Sequence, residues 1–199
     1  MEQIVKKDSP AVYVVRRRPR VVGGGGIVVT ESSTQKVVFK VEDDGCLNKK
    51  RSEVMLRDCD GKPLLLLRRE KVIGDAVRMS REWKGYAFGY NEDSRKVVFR
   101  LKQPHSWLVR NGWCRPITVS AGQSDCCGGW DFQVKGFFKE RACAIVDSMG
   151  NALAQVIGME KMKKWVSNDI YSVAVRSEAD STFVFAIISL LDHIDRMSL

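Results

Sequence analysis

The sequence predicts a mainly β fold: a barrel of strands threaded by its own C-terminal helix. Short runs of Val, Ile, Leu and Phe recur at intervals of roughly eight to twelve residues, separated by Gly, Asn, Asp and Ser, which is the spacing of a sandwich or barrel. Against that background the segment from Asp180 to Arg196 reads as the one long helix. Its residues Phe183, Val184, Phe185, Ala186, Ile187, Ile188, Leu190 and Leu191 put apolar groups on every side. A helix that is apolar all round must be enclosed by protein or by lipid. The apolar stretch, residues 183–191 with Ser189 inside it, is well short of the ~20 residues that cross the hydrocarbon. The strands are therefore expected to wrap around it, with Phe183, Val184, Ile187, Ile188 and Leu191 as its structural core.

Taken in order, the strand-like runs are 12–15, 27–29, 36–41, 53–57, 64–69, 77–83, 86–90, 96–102, 117–120, 131–135, 142–146, 152–157 and 171–176. These thirteen overcount by about one or two, since boundaries read this way are soft. Internal echoes point to a meander with two similar halves. Lys36-Val-Val-Phe-Lys-Val41 returns as Lys96-Val-Val-Phe-Arg-Leu101, each after a polar turn. Asp58-Cys-Asp-Gly-Lys-Pro-Leu64 is mirrored by Asp147-Ser-Met-Gly-Asn-Ala-Leu153, with a Gly able to take positive φ at each turn. Asp180 is placed to cap the helix and to meet the positive end of its dipole. Phe183 occupies the capping-box position, so no reciprocal cap is expected. Arg196 falls in the last turn, where a cation is favoured.

The 199 residues suit one domain over 1–199, with a short flexible N-terminus over 1–9. Net charge is +9, a surface drawn to polyanions. The first residues lack the apolar run of a secretory signal. Cys46, Cys59, Cys114, Cys126, Cys127 and Cys143 follow no zinc or thioredoxin spacing and are expected to be reduced thiols, giving a cytoplasmic setting. No metal or cofactor is expected. His105 and His193 are the only imidazoles, and neither completes a catalytic triad or a metal pair, so an enzyme is disfavoured. The run Gly23-Gly24-Gly25-Gly26 matches neither a P-loop nor a dinucleotide fingerprint and reads as a flexible hairpin tip.

Several segments carry a resemblance. The hairpin Leu56-Arg-Asp-Cys-Asp-Gly-Lys-Pro-Leu-Leu-Leu-Leu-Arg-Arg69 is similar to the hydrophobic-D-x-x-G-x-x-L unit of the plant LURP-one-related proteins. Gly136-Phe-Phe-Lys-Glu-Arg-Ala-Cys-Ala-Ile-Val146 resembles that family's G-x-x-x-x-R-x-C-x-V strand pair. Asp169-Ile-Tyr171, followed by Asp180 and the apolar helix, resembles its D-x-Y … D ending. Nearly the whole chain, 10–194, is covered. The resemblance implies a Tubby-like closed antiparallel barrel of about 12 strands around a central hydrophobic C-terminal α-helix, an architecture shared with phospholipid scramblases. Two departures stand out. The segment from Arg176 to Asp180 replaces the family's Pro-Gly pair, and the glycine run replaces an ordinary early strand.

Three basic patches are candidates for an anionic ligand: Arg16, Arg17, Arg18 and Arg20; Arg68, Arg69 and Lys71; and Lys161, Lys163 and Lys164 beside Trp165. Guanidinium groups grip phosphates bidentately. The first patch, next to the glycines, is expected on a mobile loop, although charges also serve to block a strand edge. Tubby domains bind phosphoinositide headgroups, so the resemblance makes an anionic membrane lipid the expected partner of a monomeric, non-enzymatic domain without a transmembrane segment. The expected setting is a plant defence or stress response at the cytoplasmic membrane face, with the nucleus as the alternative. DNA or an acidic protein is the rival partner. Nucleic acid is less favoured because the buried helix cannot read a groove and the five Trp are scattered.

Overall fold

The computed structural model describes residues 9–21, 24–43, 53–71, 81–88, 96–103, 116–122, 129–158 and 169–197. Twelve strands precede one helix. They are β1 (Ala11–Val21), β2 (Gly24–Glu31), β3 (Val37–Asp43), β4 (Glu53–Asp58), β5 (Pro63–Lys71) and β6 (Arg81–Ala87), followed by β7 (Lys96–Gln103), β8 (Ile117–Ala121), β9 (Phe132–Phe137), β10 (Ala142–Asp147), β11 (Ala152–Gly158) and β12 (Ile170–Val175). The helix α1 is Ser181–Met197. Each strand pairs antiparallel with its neighbour in sequence, and β1 closes on β12 with Ala11 opposite Val175 and Arg16 opposite Ile170. The expected closed barrel is the observed one. Closure leaves no unpaired strand edge among the described elements. The described parts of the runs 77–83 and 86–90 fall in the single strand β6, which accounts for the surplus in the sequence count.

Strand alternation fills the barrel. On β3 Phe39, Val41 and Asp43 are buried, and on β7 Phe99, Leu101 and Gln103 are. The helix lies inside: every residue from Val184 to His193 is buried, so over that span no face of it meets water. Of the predicted contact residues, Val184, Ile187, Ile188 and Leu191 are buried and Phe183 is half-buried. Aromatic rings lock the N-terminal half. Phe183 stands edge-on to Phe99 at 5.4 Å and tilted to Phe132 at 5.2 Å, and Phe185 meets Tyr13 at 5.0 Å and Phe39 at 5.3 Å. Asp180 caps as expected, its Oδ1 accepting from Thr182 N–H at 2.9 Å. Ser189, inside the apolar stretch, donates back to Phe185 O at 2.5 Å, which satisfies a hydroxyl that has no water to meet.

The two Asp-Gly hairpins are chemical copies. Asp58 Oδ1 accepts from Asp60 N and Lys62 N at 3.0 and 2.8 Å, and Asp147 Oδ1 accepts from Met149 N and Asn151 N at 2.9 and 2.8 Å. Gly61 and Gly150 sit at φ +88° and +89°. Yet these hairpins lie six strands apart, β4–β5 against β10–β11, while the strands echoing at Lys36 and Lys96 lie four apart, β3 against β7. One duplication cannot produce both offsets. The echoes are local solutions to the same turn and packing problem, which corrects the expectation of two similar halves.

The glycine run is corrected in part: Gly25 and Gly26 lie within β2, while Gly24 pairs with Val21 as the last pair before the β1–β2 connection, and Gly23 lies outside the described residues. A Cβ on Gly26 would stand 1.9 Å from Val41 O, so the neighbouring β3 backbone occupies the space any side chain needs.

Candidate functional site

The helix runs from one end of the barrel to the other, and its last turns reach the end where β1, β3, β5 and β7 finish. Carboxylates in the closing turns of a helix oppose its dipole. Asp192 and Asp195 are tolerated because the barrel wall supplies cations. Arg17 on β1 follows the inward register set by Val15, and its guanidinium is turned in. Nε donates to Asp192 Oδ1 and an NH2 to Asp195 Oδ2, both at 2.6 Å. Arg196 pairs with Asp192 Oδ2 at 2.5 Å, and Arg141 stands 3.9 Å from Asp192 and 3.7 Å from Asp195. Asp169 lies 3.9 Å from Arg17 on the more exposed side. Burial by itself would lower the Arg17 guanidinium, but Asp192 and Asp195 outweigh it and hold Arg17 above its ordinary range. Arg141 has weaker partners, so burial prevails and lowers it.

Arg141 reaches this place through a strained backbone, φ +56°, in the β9–β10 turn. Its guanidinium lies over the rings of Phe138 and Tyr171, 4.4 and 4.3 Å from their centroids. Burial, then the Asp192 charge, pushes the Tyr171 hydroxyl well above its usual range. Cys143, buried beside them, is pushed up to about 12 by burial, which leaves it a thiol at any physiological pH.

The opposite side of the same helical turns carries a second polar group. His193 Nδ1 is 3.1 Å from Asp43 Oδ2 at the end of β3, and its ring stands edge-on to Trp83 of β6 at 5.2 Å. Trp83, His193, Arg69, Gln103, Ile194 and Met197 line a cleft of about 110 Å³.

The basic patches divide accordingly. The Arg16 cluster lies on strand β1 and not on a loop. Arg16 is exposed, Arg17 is in the clasp described above, and Arg18 is exposed with an NH2 donating to Val41 O at 3.0 Å. Arg68 faces outward and pairs with Glu53 at 2.8 Å, while Arg69 lines the cleft. The side chains of Arg20 and Lys71, and all of Lys161, Lys163 and Lys164, lie outside the described residues, as does His105. On the outer face of β5 and β6, Glu70 pairs with Lys84 at 2.5 Å and accepts from the Tyr86 hydroxyl. Sequence reasoning missed the clasp and the cleft. The signal for the clasp was present: Asp192 and Asp195 beside an apolar run, at the wrong end of a buried helix, require cations from elsewhere in the chain.

The resemblance noted in the sequence is met by direct comparison. The model of the LURP-one-related family matches residues 11–192. The chain is 44% identical to Protein LURP-one-related 6 of Arabidopsis thaliana over 92% of its own length and 88% of that protein. It is 40% identical to Protein LURP-one-related 16 over 82% and 77%, and 27% identical to Protein LURP-one-related 5 over 79% and 71%. The residues that carried the resemblance fall at structurally demanding places: Gly61 at its turn, Arg141, Asp169 and Tyr171 around the helix end, and Asp180 at the cap. With the family model spanning the barrel from its first strand to Asp192, this chain belongs to the LURP-one-related family.

Proposed function

We propose that this chain is a non-enzymatic binding domain that docks through its basic surface on phosphoinositides or other anionic lipids at the cytoplasmic membrane face, in a plant defence or stress response. The observation that carries the reading is the exposed pair Arg16 and Arg18 on the outer face of β1, in a chain of net charge +9. A basic surface is drawn to an anionic sheet. The acidic and basic groups that meet inside the barrel are engaged with one another, which supports a binding role over acid–base chemistry.

Each cation near an anionic leaflet contributes about 1 kcal/mol. Removing two, in Arg16→Ala/Arg18→Ala, is therefore expected to weaken docking roughly 30-fold. Flotation with phosphoinositide liposomes, neutral liposomes and duplex DNA over a salt series tests this. Salt-sensitive recovery with the charged liposomes alone is expected. Equal recovery with neutral liposomes, or preference for DNA, overturns the reading.

A further inference from the structure

We propose that the outer face of β9, β10, β11, β12 and β1 lies flat on an anionic leaflet, with Phe137 and Ile157 entering the headgroup layer between flanking cations. This rests on the lipid reading above and names the surface that carries it. The barrel wall has two unlike halves. On β3 to β6 the charges are matched across neighbouring strands: Glu42 with Arg57 and Glu53 with Arg68 at 2.8 Å, and Glu70 with Lys84 at 2.5 Å. Opposite charges paired this way suit a wall that faces water. The strands β8 to β12, β1 and β2 form the other half and hold two carboxylates, Glu31 and Asp147. Each is the last residue of its strand and is engaged in its own turn, Glu31 with the Thr34 hydroxyl and Asp147 with the amides of Met149 and Asn151.

The outer face of this second half is apolar instead. Phe137, Ala142, Ile157, Ser172 and Val14 stand opposite one another in a row across β9, β10, β11, β12 and β1. Phe137 is 57% exposed and Ile157 45% exposed, on either side of the small Ala142 and so roughly 10 Å apart. Val12, in the next row, is 41% exposed. Lys135 and Arg16 flank the row at its two ends, are exposed, and have no carboxylate partner among the described residues. Apolar side chains at the acyl boundary with cations at headgroup level are what an interfacial surface requires. Two features choose the leaflet over other occupants. A second copy of this face would bring two sets of cations together with no acid to meet them. The outside of a barrel is convex, so it offers no groove for a peptide or helix, whereas a fluid leaflet closes around whatever protrudes.

The test is flotation of the full chain with phosphatidylcholine vesicles carrying a phosphatidylinositol phosphate, over a salt series, for wild type, Phe137→Ser/Ile157→Ser and Phe137→Trp. Both side chains are exposed, so the fold is expected to survive, which thermal unfolding checks. About half of each side chain remains to be buried, so the double variant is expected to partition roughly 30-fold more weakly. It should also lose the salt-resistant part of wild-type binding, since salt screens the charges and not the apolar contact. Phe137→Trp is expected to bind at least as tightly as wild type, with its added emission quenched by brominated lipid. A double variant that floats like wild type, or a Trp at 137 that stays unquenched in the bound protein, overturns the proposal and leaves docking by charge alone. A wild type that does not float with these vesicles overturns both the proposal and the lipid reading. A wild-type dimer in sedimentation velocity that the double variant loses assigns the face to a second copy and overturns the proposal as well.

Discussion

Arg17 offers the sharpest test of how the helix is held. Asp192 is fully buried, and Arg17 Nε and Arg196 divide its two oxygens. Arg17→Met keeps most of the side-chain volume but removes the charge and two hydrogen bonds of 2.6 Å. Truncating one partner of a buried ion pair costs about 3–5 kcal/mol. Arg196 stays beside Asp192, which places this case near the lower edge, about 3 kcal/mol. That is roughly a 150-fold rise in the unfolded population, a large share of the 5–15 kcal/mol typical of a domain. In urea the midpoint should fall by about 1–1.5 M, taking a slope of about 2–3 kcal/mol/M for a chain of this size. Arg17→Met/Asp192→Asn should recover part of the loss, because the orphaned charge is gone, and a double-mutant cycle should show coupling of about 1–3 kcal/mol. A loss under about 1 kcal/mol, or strict additivity in the cycle, would refute the assignment of Arg17 as the clasp.

Three further outcomes are expected. Burial, aided by Glu70, raises Tyr86 to about 12, and burial also raises Tyr13 and Tyr171. A raised folded value gives stability that is intact below the unfolded value near 10 and declines as pH climbs through the folded one. Absorbance of the folded chain at pH 11 should therefore show far less phenolate than the unfolded chain, and Tyr86→Phe should flatten the stability loss between pH 10 and 12; matching titrations of folded and unfolded chains would count against it. Cys59 is exposed and Cys143 buried with its thiol near 12, so alkylation followed by mass spectrometry should label Cys59 at once and Cys143 only on unfolding. Gly26→Ala should cost about 1–3 kcal/mol in thermal or urea unfolding, because the β3 backbone must move to admit the methyl group. A neutral result would mean that the two strands slide apart freely.

Much of the architecture was legible along the chain because it rests on short-range pattern. The alternation of Phe39, Val41 and Asp43 along a strand, the Asp58 and Asp147 turns, and the Asp180 cap are all fixed by neighbours within a few residues. The candidate site was legible only in part. Arg16, Arg17 and Arg18 are adjacent in sequence, and composition treats them as one patch. On a strand they alternate, so Arg17 points to the core and its neighbours point to solvent. The same parity separates Arg68, paired outside with Glu53, from Arg69, inside the cleft. The partners of Arg17 lie 175 and 178 residues away, beyond anything local spacing can indicate.

By itself the chain therefore determined a β barrel and the burial of its last helix. A segment apolar on every side and too short for a bilayer has only one place to go, and turn chemistry is written in single residues. Tertiary structure alone decided which charges are consumed and which are left to bind. Barrel closure brings β1, β3, β6 and β12 around one helical end, and a charge's role depends on which side of that wall it faces.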